Sequence, residues 1–201
     1  MNQSRKHLLL IGVISALAIA VCCSLGGEPK PAETYPKRVL LIRHAEKPPE
    51  NAKSVHLSVE GSKRAEAFPG LFITSKSRPD PLPTPDFIFA AKDSKDSHRP
   101  AETVQPLATK LNLQVDSRFR NDDYDQLARE LFHHPKYAGK TILISWHHGN
   151  LPELAAALKA QKAPKNWKAT VFDRVWEISF EDDKAGFRDL PQQLLPGDAD
   201  K

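Results

Sequence analysis

The chain has little cysteine, and the two it has, Cys22 and Cys23, fall in one N-terminal segment. Everything beyond residue 23 therefore has no disulfide to staple it and no thiol nucleophile, so its stability must come from an apolar core. Long blocks of like charge are absent as well. The formal net charge is +4, and Arg5 and Lys6 supply two of those charges in a segment with no acid, which leaves +2 on the rest of the chain. That balance excludes a nucleic-acid surface, and any affinity for phosphate must be local to a pocket. There is no internal repeat, and no apolar run reaches the ~20 residues that span a bilayer. Hydrophobic residues at 40% and charged residues at 27% are ordinary for a globular protein, which argues against both disorder and a polytopic membrane protein. A length of 201 residues suits one domain with its own core and hardly two.

Proline, by contrast, is plentiful, with 17 residues, of which nine cluster at Pro29 to Pro36, Pro48-Pro49 and Pro79 to Pro85. The first cluster follows a basic start (Arg5, Lys6) and an apolar stretch from Leu8 to Cys23, the layout of a secretory signal. Residues 1–23 are read as that signal, 24–37 as a proline-rich tether and 38–201 as the folded domain. Ile19-Ala20-Val21-Cys22-Cys23 resembles a bacterial lipoprotein cleavage site, with a larger residue where a small one is usual, so Cys22 or Cys23 is a candidate for lipid attachment. The expected location is outside the cytoplasm, periplasmic or membrane-anchored.

Three apolar runs end in basic residues. Arg38 to Ile42 reads as a buried strand running into Arg43-His44. Asp86 to Ala91 is a second, followed across a loop by His98-Arg99, where Pro100 suits a first helical turn and Val104, Leu107, Ala108 and Leu111 form one apolar face. Thr141 to Trp146 is a third, ending in His147-His148-Gly149-Asn150 before a helix over Pro152 to Leu158. Further helices are expected after Ser58 as N-cap, kinked or shortened at Pro69, and over Asp123 to Phe132, with a short strand at Asn112 to Val115. Val171 to Phe180 and Gly186 to Leu190 alternate as a late hairpin. Strands alternating with helices predict a three-layer α/β sandwich with a mainly parallel central sheet. In such sheets the carboxyl ends of the strands bind ligands, so Arg43, His44, Arg99 and a histidine of the 147–148 pair converge on one edge. Guanidinium groups fork onto phosphate oxygens, and a neutral imidazole can attack phosphorus. That set makes a phosphate pocket in which no metal or cofactor is required. His133-His134 suggests metal binding only weakly, since adjacent histidines point in different directions.

Taken in order, these segments resemble the histidine phosphatase superfamily. Arg43-His44-Ala45 matches its first motif, and the variant Arg-His-Ala-Glu-Lys-Pro matches through Pro48. Leu57-Ser58, Gly61 and Arg64-Ala65 resemble the next element, and Ser97-x-Arg99-Pro100-x-x-Thr103 resembles the segment with the second phosphate-binding arginine. The resemblance covers roughly residues 38 to 160. It implies a phosphoglycerate mutase-like fold and a phosphatase working through a phosphohistidine on His44. Arg43 and Arg99 would clamp the phosphoryl group, and a histidine after Trp146 would stabilise the transition state. His148-Gly149-Asn150 looks like the family turn, whereas counting back from Pro152 selects His147; the reading favours His148. Glu46, Lys47 and Asn150 are expected to line the substrate site. The leaving-group acid is open among Glu46, Asp122 and Asp123, because Gly149 stands where acid phosphatases of the superfamily carry aspartate. The implied substrate is a phosphorylated small molecule or a phosphoprotein. A phosphomutase and a non-catalytic phosphate-binding module are the alternatives.

Overall fold

The computed structural model describes residues 34–181 and 184–200. The expected signal, most of the tether, and Asp182-Asp183 of the hairpin lie outside the described residues. No helix among the described residues is long and apolar enough to cross a membrane. The described part of the tether is already packed. Thr34 donates from its amide to the Phe132 carbonyl at 2.6 Å, and the Tyr35 ring lies 5.1 Å from Phe132 and 5.4 Å from Phe180.

Six strands form one sheet: β1 (Arg38–Arg43), β2 (Phe87–Ala90), β3 (Val115–Asp116), β4 (Thr141–Trp146), β5 (Arg174–Glu181) and β6 (Lys184–Pro191), in the order β3-β2-β4-β1-β5-β6. The pairs β1·β4, β2·β4 and β2·β3 are parallel, and β5 joins β1 antiparallel and closes the hairpin with β6. The hydrophobic pattern explains this division. β1 and β4 each carry a central apolar run and are buried at every position except Arg38, as parallel strands covered on both faces must be. β6 alternates exposed with half-buried residues, as an edge strand does.

Alternate residues of the central strands feed two separate cores. Val39, Leu41, Ile142, Ile144 and Trp146 pack with Leu127 and Leu131 of α3 (Tyr124–His133) and Leu151 and Leu154 of α4 (Leu151–Ala157). Leu40, Ile42 and Leu143 pack instead with Val104, Leu107 and Ala108 of α2 (Arg99–Leu111) and with Phe68 and Leu71. Among the described residues the fold is thus mixed α/β, with a mostly parallel sheet and four α-helices.

Local chemistry sets the helix ends. Ser58 caps α1 (Val59–Ala67), its hydroxyl accepting from the Gly61 amide at 3.0 Å. Pro69 does not kink α1; it falls in a separate 3-10 turn over Phe68–Phe72 that follows the helix. Asn112 adopts a left-handed conformation (φ 53°) that ends α2, so the short strand expected from Asn112 begins only at Val115. In the hairpin the first strand starts at Arg174 instead of the expected Val171, whereas the second runs beyond the expected Gly186 to Leu190, because pairing extends from Lys184 opposite Glu181 to Pro191 opposite Arg174.

Candidate active site

β1 and β4 lie side by side in parallel, with Arg43 opposite Trp146. Continuing that register by one residue sets His44 beside His147, and the His44 amide donates to the Trp146 carbonyl at 3.0 Å. The two imidazoles meet edge to face with centroids 5.3 Å apart. The next residue, His148, lies in the turn that follows β4, and no ring contact with His44 is formed by it among the described residues.

His44 is almost wholly buried, and its Nδ1 lies 2.7 Å from the Ala45 carbonyl. A carbonyl can only accept, so Nδ1 carries the proton and Nε2 keeps its lone pair. The next residue is fixed by α2: the Ala45 amide donates to the Thr103 hydroxyl at 2.8 Å, and that hydroxyl donates to the Arg99 carbonyl at 2.7 Å. Burial, outweighing the Ala45 hydrogen bond, pushes the His44 pKa down to about 3, and His147, Arg43 and Arg99 push it the same way. His147 is pushed down to about 4, by burial first and then by Arg99, His148 and Arg43. His148 is lowered by burial, Arg43 and Lys47.

Arg43 is buried, and Nη1 donates to the carbonyls of Ala169 (2.5 Å) and Val171 (3.1 Å) while its guanidinium sits 3.7 Å over the Phe172 ring. The loop that supplies these acceptors is held by Trp167, whose indole donates to the Val171 carbonyl at 2.9 Å and whose ring packs 4.6 Å from Trp176 on β5. Burial lowers the Arg43 pKa to about 10, opposed by Glu46 and reinforced by Arg99, so the group remains a cation at neutral pH. Arg99, also lowered by burial, is braced by the carbonyls of Ser54 (3.0 Å) and Asp96 (3.1 Å). The Nε atoms of Arg43 and Arg99 are buried without a hydrogen-bond partner among the described residues.

The remaining expected residues are engaged elsewhere. Both oxygens of Glu46 accept from Arg64, Nη2 to Oε1 at 2.7 Å, and Arg64 in turn forks onto Asp198 at 2.8 and 2.9 Å. Asn150 donates from Nδ2 to the Asn121 carbonyl at 3.1 Å, pinning the turn before α4. Lys47 is half-exposed and pairs with Glu50 at 3.4 Å. Asp122 pairs with Arg120 at the surface, and Asp123 accepts from the Arg120 amide and from Gln126. None of the three candidate acids therefore stands free beside His44.

Sequence reasoning missed the Ala169–Phe172 loop, because backbone carbonyls have no residue signature. The Gly61 position, quoted only as part of a pattern, has a steric reason: a Cβ there would come 2.3 Å from the Glu46 carbonyl oxygen, and the Ser58 amide donates to that same oxygen at 2.9 Å.

A pH dependence follows from His44. Above its ordinary pKa of about 6.5 both folded and unfolded chains leave it neutral; below that the unfolded chain takes a proton that the folded one refuses until about pH 3. Stability should fall as pH drops through that window, by up to about 2 kcal/mol between pH 7.5 and 5 for this one group. Urea unfolding at the two pH values should show the drop, and His44→Asn should shrink it. An identical pH dependence in the variant would refute the assignment.

No family model matches the sequence, and no curated protein matches it. Solved structures do match the fold. An alpha-ribazole-5'-P phosphatase structure from Escherichia coli has a TM-score of 0.51 at 15% identity, covering 78% of this chain and 96% of that one. Phosphoserine phosphatase from Entamoeba histolytica, in complex with 3-phosphoglyceric acid, has the same score and identity over 79% of this chain and 99% of that one. The fold of this chain is thus similar to that of these two phosphatase structures.

Proposed function

We propose that the chain is a phosphatase that hydrolyses a phosphorylated substrate through a phosphohistidine on His44. The observation that carries this reading is the buried, Nδ1-protonated His44 imidazole, set edge-on to His147 and under the positive field of Arg43 and Arg99. In the first step the Nε2 lone pair of His44 forms a bond to phosphorus as the bond from phosphorus to the leaving oxygen breaks. In the second step water attacks the phosphohistidine, and phosphate leaves as the imidazole recovers its lone pair. The two arginines neutralise charge on the phosphoryl oxygens. No metal takes part in this scheme. With Glu46 held by Arg64 and Asp122 and Asp123 bonded around Arg120, none of the three candidate acids is set to protonate the leaving group, which favours substrates whose leaving oxygen is a weak base.

The geometry favours His147 as the transition-state donor, one residue earlier than the family turn alone suggests, because parallel register and ring contact both set it beside His44. The two cores on opposite sheet faces support a three-layer arrangement. The Arg5-Lys6 start, the apolar run and Cys22-Cys23 support export with a lipid anchor.

The test is acid-quench labelling with a radioactive phosphoester in the presence of chelator. The expected result is an acid-labile, base-stable phosphoenzyme. Tight substrate binding without label would instead make the chain a phosphate-binding module. In the same assay His147→Ala should lower kcat by on the order of 10²-fold, as removal of one transition-state donor does, whereas His148→Ala should stay within a few-fold. The reverse ranking would move the donor role to His148.

A further inference from the structure

We propose that His56, His98 and Glu102 form a surface site for a borderline divalent cation of the zinc class, separate from the phosphoryl-transfer residues. One ligand atom from each residue lies within 4.8 Å of the other two. Donors on a tetrahedral zinc, with bonds of about 2.0–2.1 Å, stand roughly 3.3 Å apart. Side-chain torsion alone can close that difference, because the His56 side chain is 61% exposed. Nδ1 of His56 already meets Oε1 of Glu102, and the rings of His56 and His98 stand edge to face at 5.2 Å.

The scaffold beneath these side chains is built from bonds that the ligand atoms do not supply. The His98 amide donates to the Val55 carbonyl at 2.9 Å, and the Glu102 amide donates to the His98 carbonyl at 3.2 Å, so the histidine and the carboxylate stand one helical turn apart at the start of α2. The other carboxylate oxygen, Oε2, accepts from the Leu57 amide at 2.9 Å and aims Oε1 at His56. The segment 54–57 and the α2 start are therefore held together before any ion arrives, which lowers the ordering cost of binding. Two imidazoles and one carboxylate suit zinc, copper or nickel, whereas calcium and magnesium demand oxygen ligands. A cavity of about 280 Å³ beside His56 and Glu102 leaves room for water as a fourth ligand. Occupancy would fasten the 54–57 segment to the helix that carries Arg99, whose guanidinium the Ser54 carbonyl braces.

The experiment is calorimetric titration of the untagged protein with Zn²⁺ alone, together with the visible spectrum of the Co²⁺ form. One equivalent should bind, with the intense absorption of a tetrahedral site. His56→Ala and His98→Ala should each weaken binding by at least about tenfold, the lower end of losses seen even for groups that only orient ligands, and the double variant should abolish the equivalent. Glu102→Gln keeps an acceptor for the Leu57 amide and should weaken binding while leaving the circular dichroism unchanged. Absence of a stoichiometric equivalent in the wild type would overturn the site. So would undiminished binding in the double variant, which would put the ion on other histidines.

Discussion

His44→Ala is expected to lower kcat on an aryl phosphate by on the order of 10⁴-fold or more, with no phosphoenzyme trapped, because enzymes that lose their nucleophile keep only the catalysis of binding and charge stabilisation. The fold should survive. His44 lies past the end of β1, and its backbone amide still donates to the Trp146 carbonyl whatever the side chain. His44→Asn is the sharper control, since its amide nitrogen can still donate to the Ala45 carbonyl but offers no nucleophile. Steady-state kinetics with circular dichroism on both variants decide the point. Turnover near the wild-type rate in either one would end the assignment of His44 as nucleophile.

The second large effect is on stability. Arg64 is buried and forks simultaneously onto Glu46 and Asp198, whose side chains are 19% and 6% exposed, with a further bond to Gln192 at 3.2 Å. Burial by itself would lower the Arg64 pKa, but the hydrogen bonds it donates to Asp198 and Glu46 win and raise it; Asp198 is correspondingly held below its usual range by the Arg64 bond, against its own burial. Arg64→Ala leaves two carboxylates without their cation. Removing one partner of a buried pair costs about 3–5 kcal/mol, which for a domain of this size lowers Tm by on the order of 10 °C. Arg64→Lys should recover only part, because an ammonium cannot fork onto two carboxylates. Thermal unfolding checks both, and a loss below about 1 kcal/mol in Arg64→Ala would show that water replaces the network cheaply. The same change frees Glu46 beside Arg43, so KM should rise along with the loss of stability.

Much of this was legible from residue order. The runs of β1 and β4 are so uniformly apolar that only strands covered on both faces could hold them, and their basic ends placed Arg43 and His44 at the ligand edge of a parallel sheet. Ser58 as N-cap, the helix with Pro100 in its first turn, and the late hairpin also followed from local chemistry. Local signals failed where a long-range bond decided the outcome. Glu46 and Asn150 looked available for substrate in the sequence, yet Arg64 and the Asn121 carbonyl take their polar groups. The helix before Leu158 starts one residue earlier than Pro152, with that proline inside its first turn.

The division between the two kinds of information is physical. Sequence by itself determined most of the strands and helices, because burial period and capping act within a few residues, and it determined which side chains arrive at the carboxyl edge of β1 and β4. It could not show that the His147 ring lies against His44, since that contact depends on the register of two strands about a hundred residues apart, with Arg43 opposite Trp146. Nor could it reveal that Arg43 is held by the carbonyls of Ala169 and Val171, because backbone acceptors are identical in every residue and only the path of the folded chain brings them to the guanidinium.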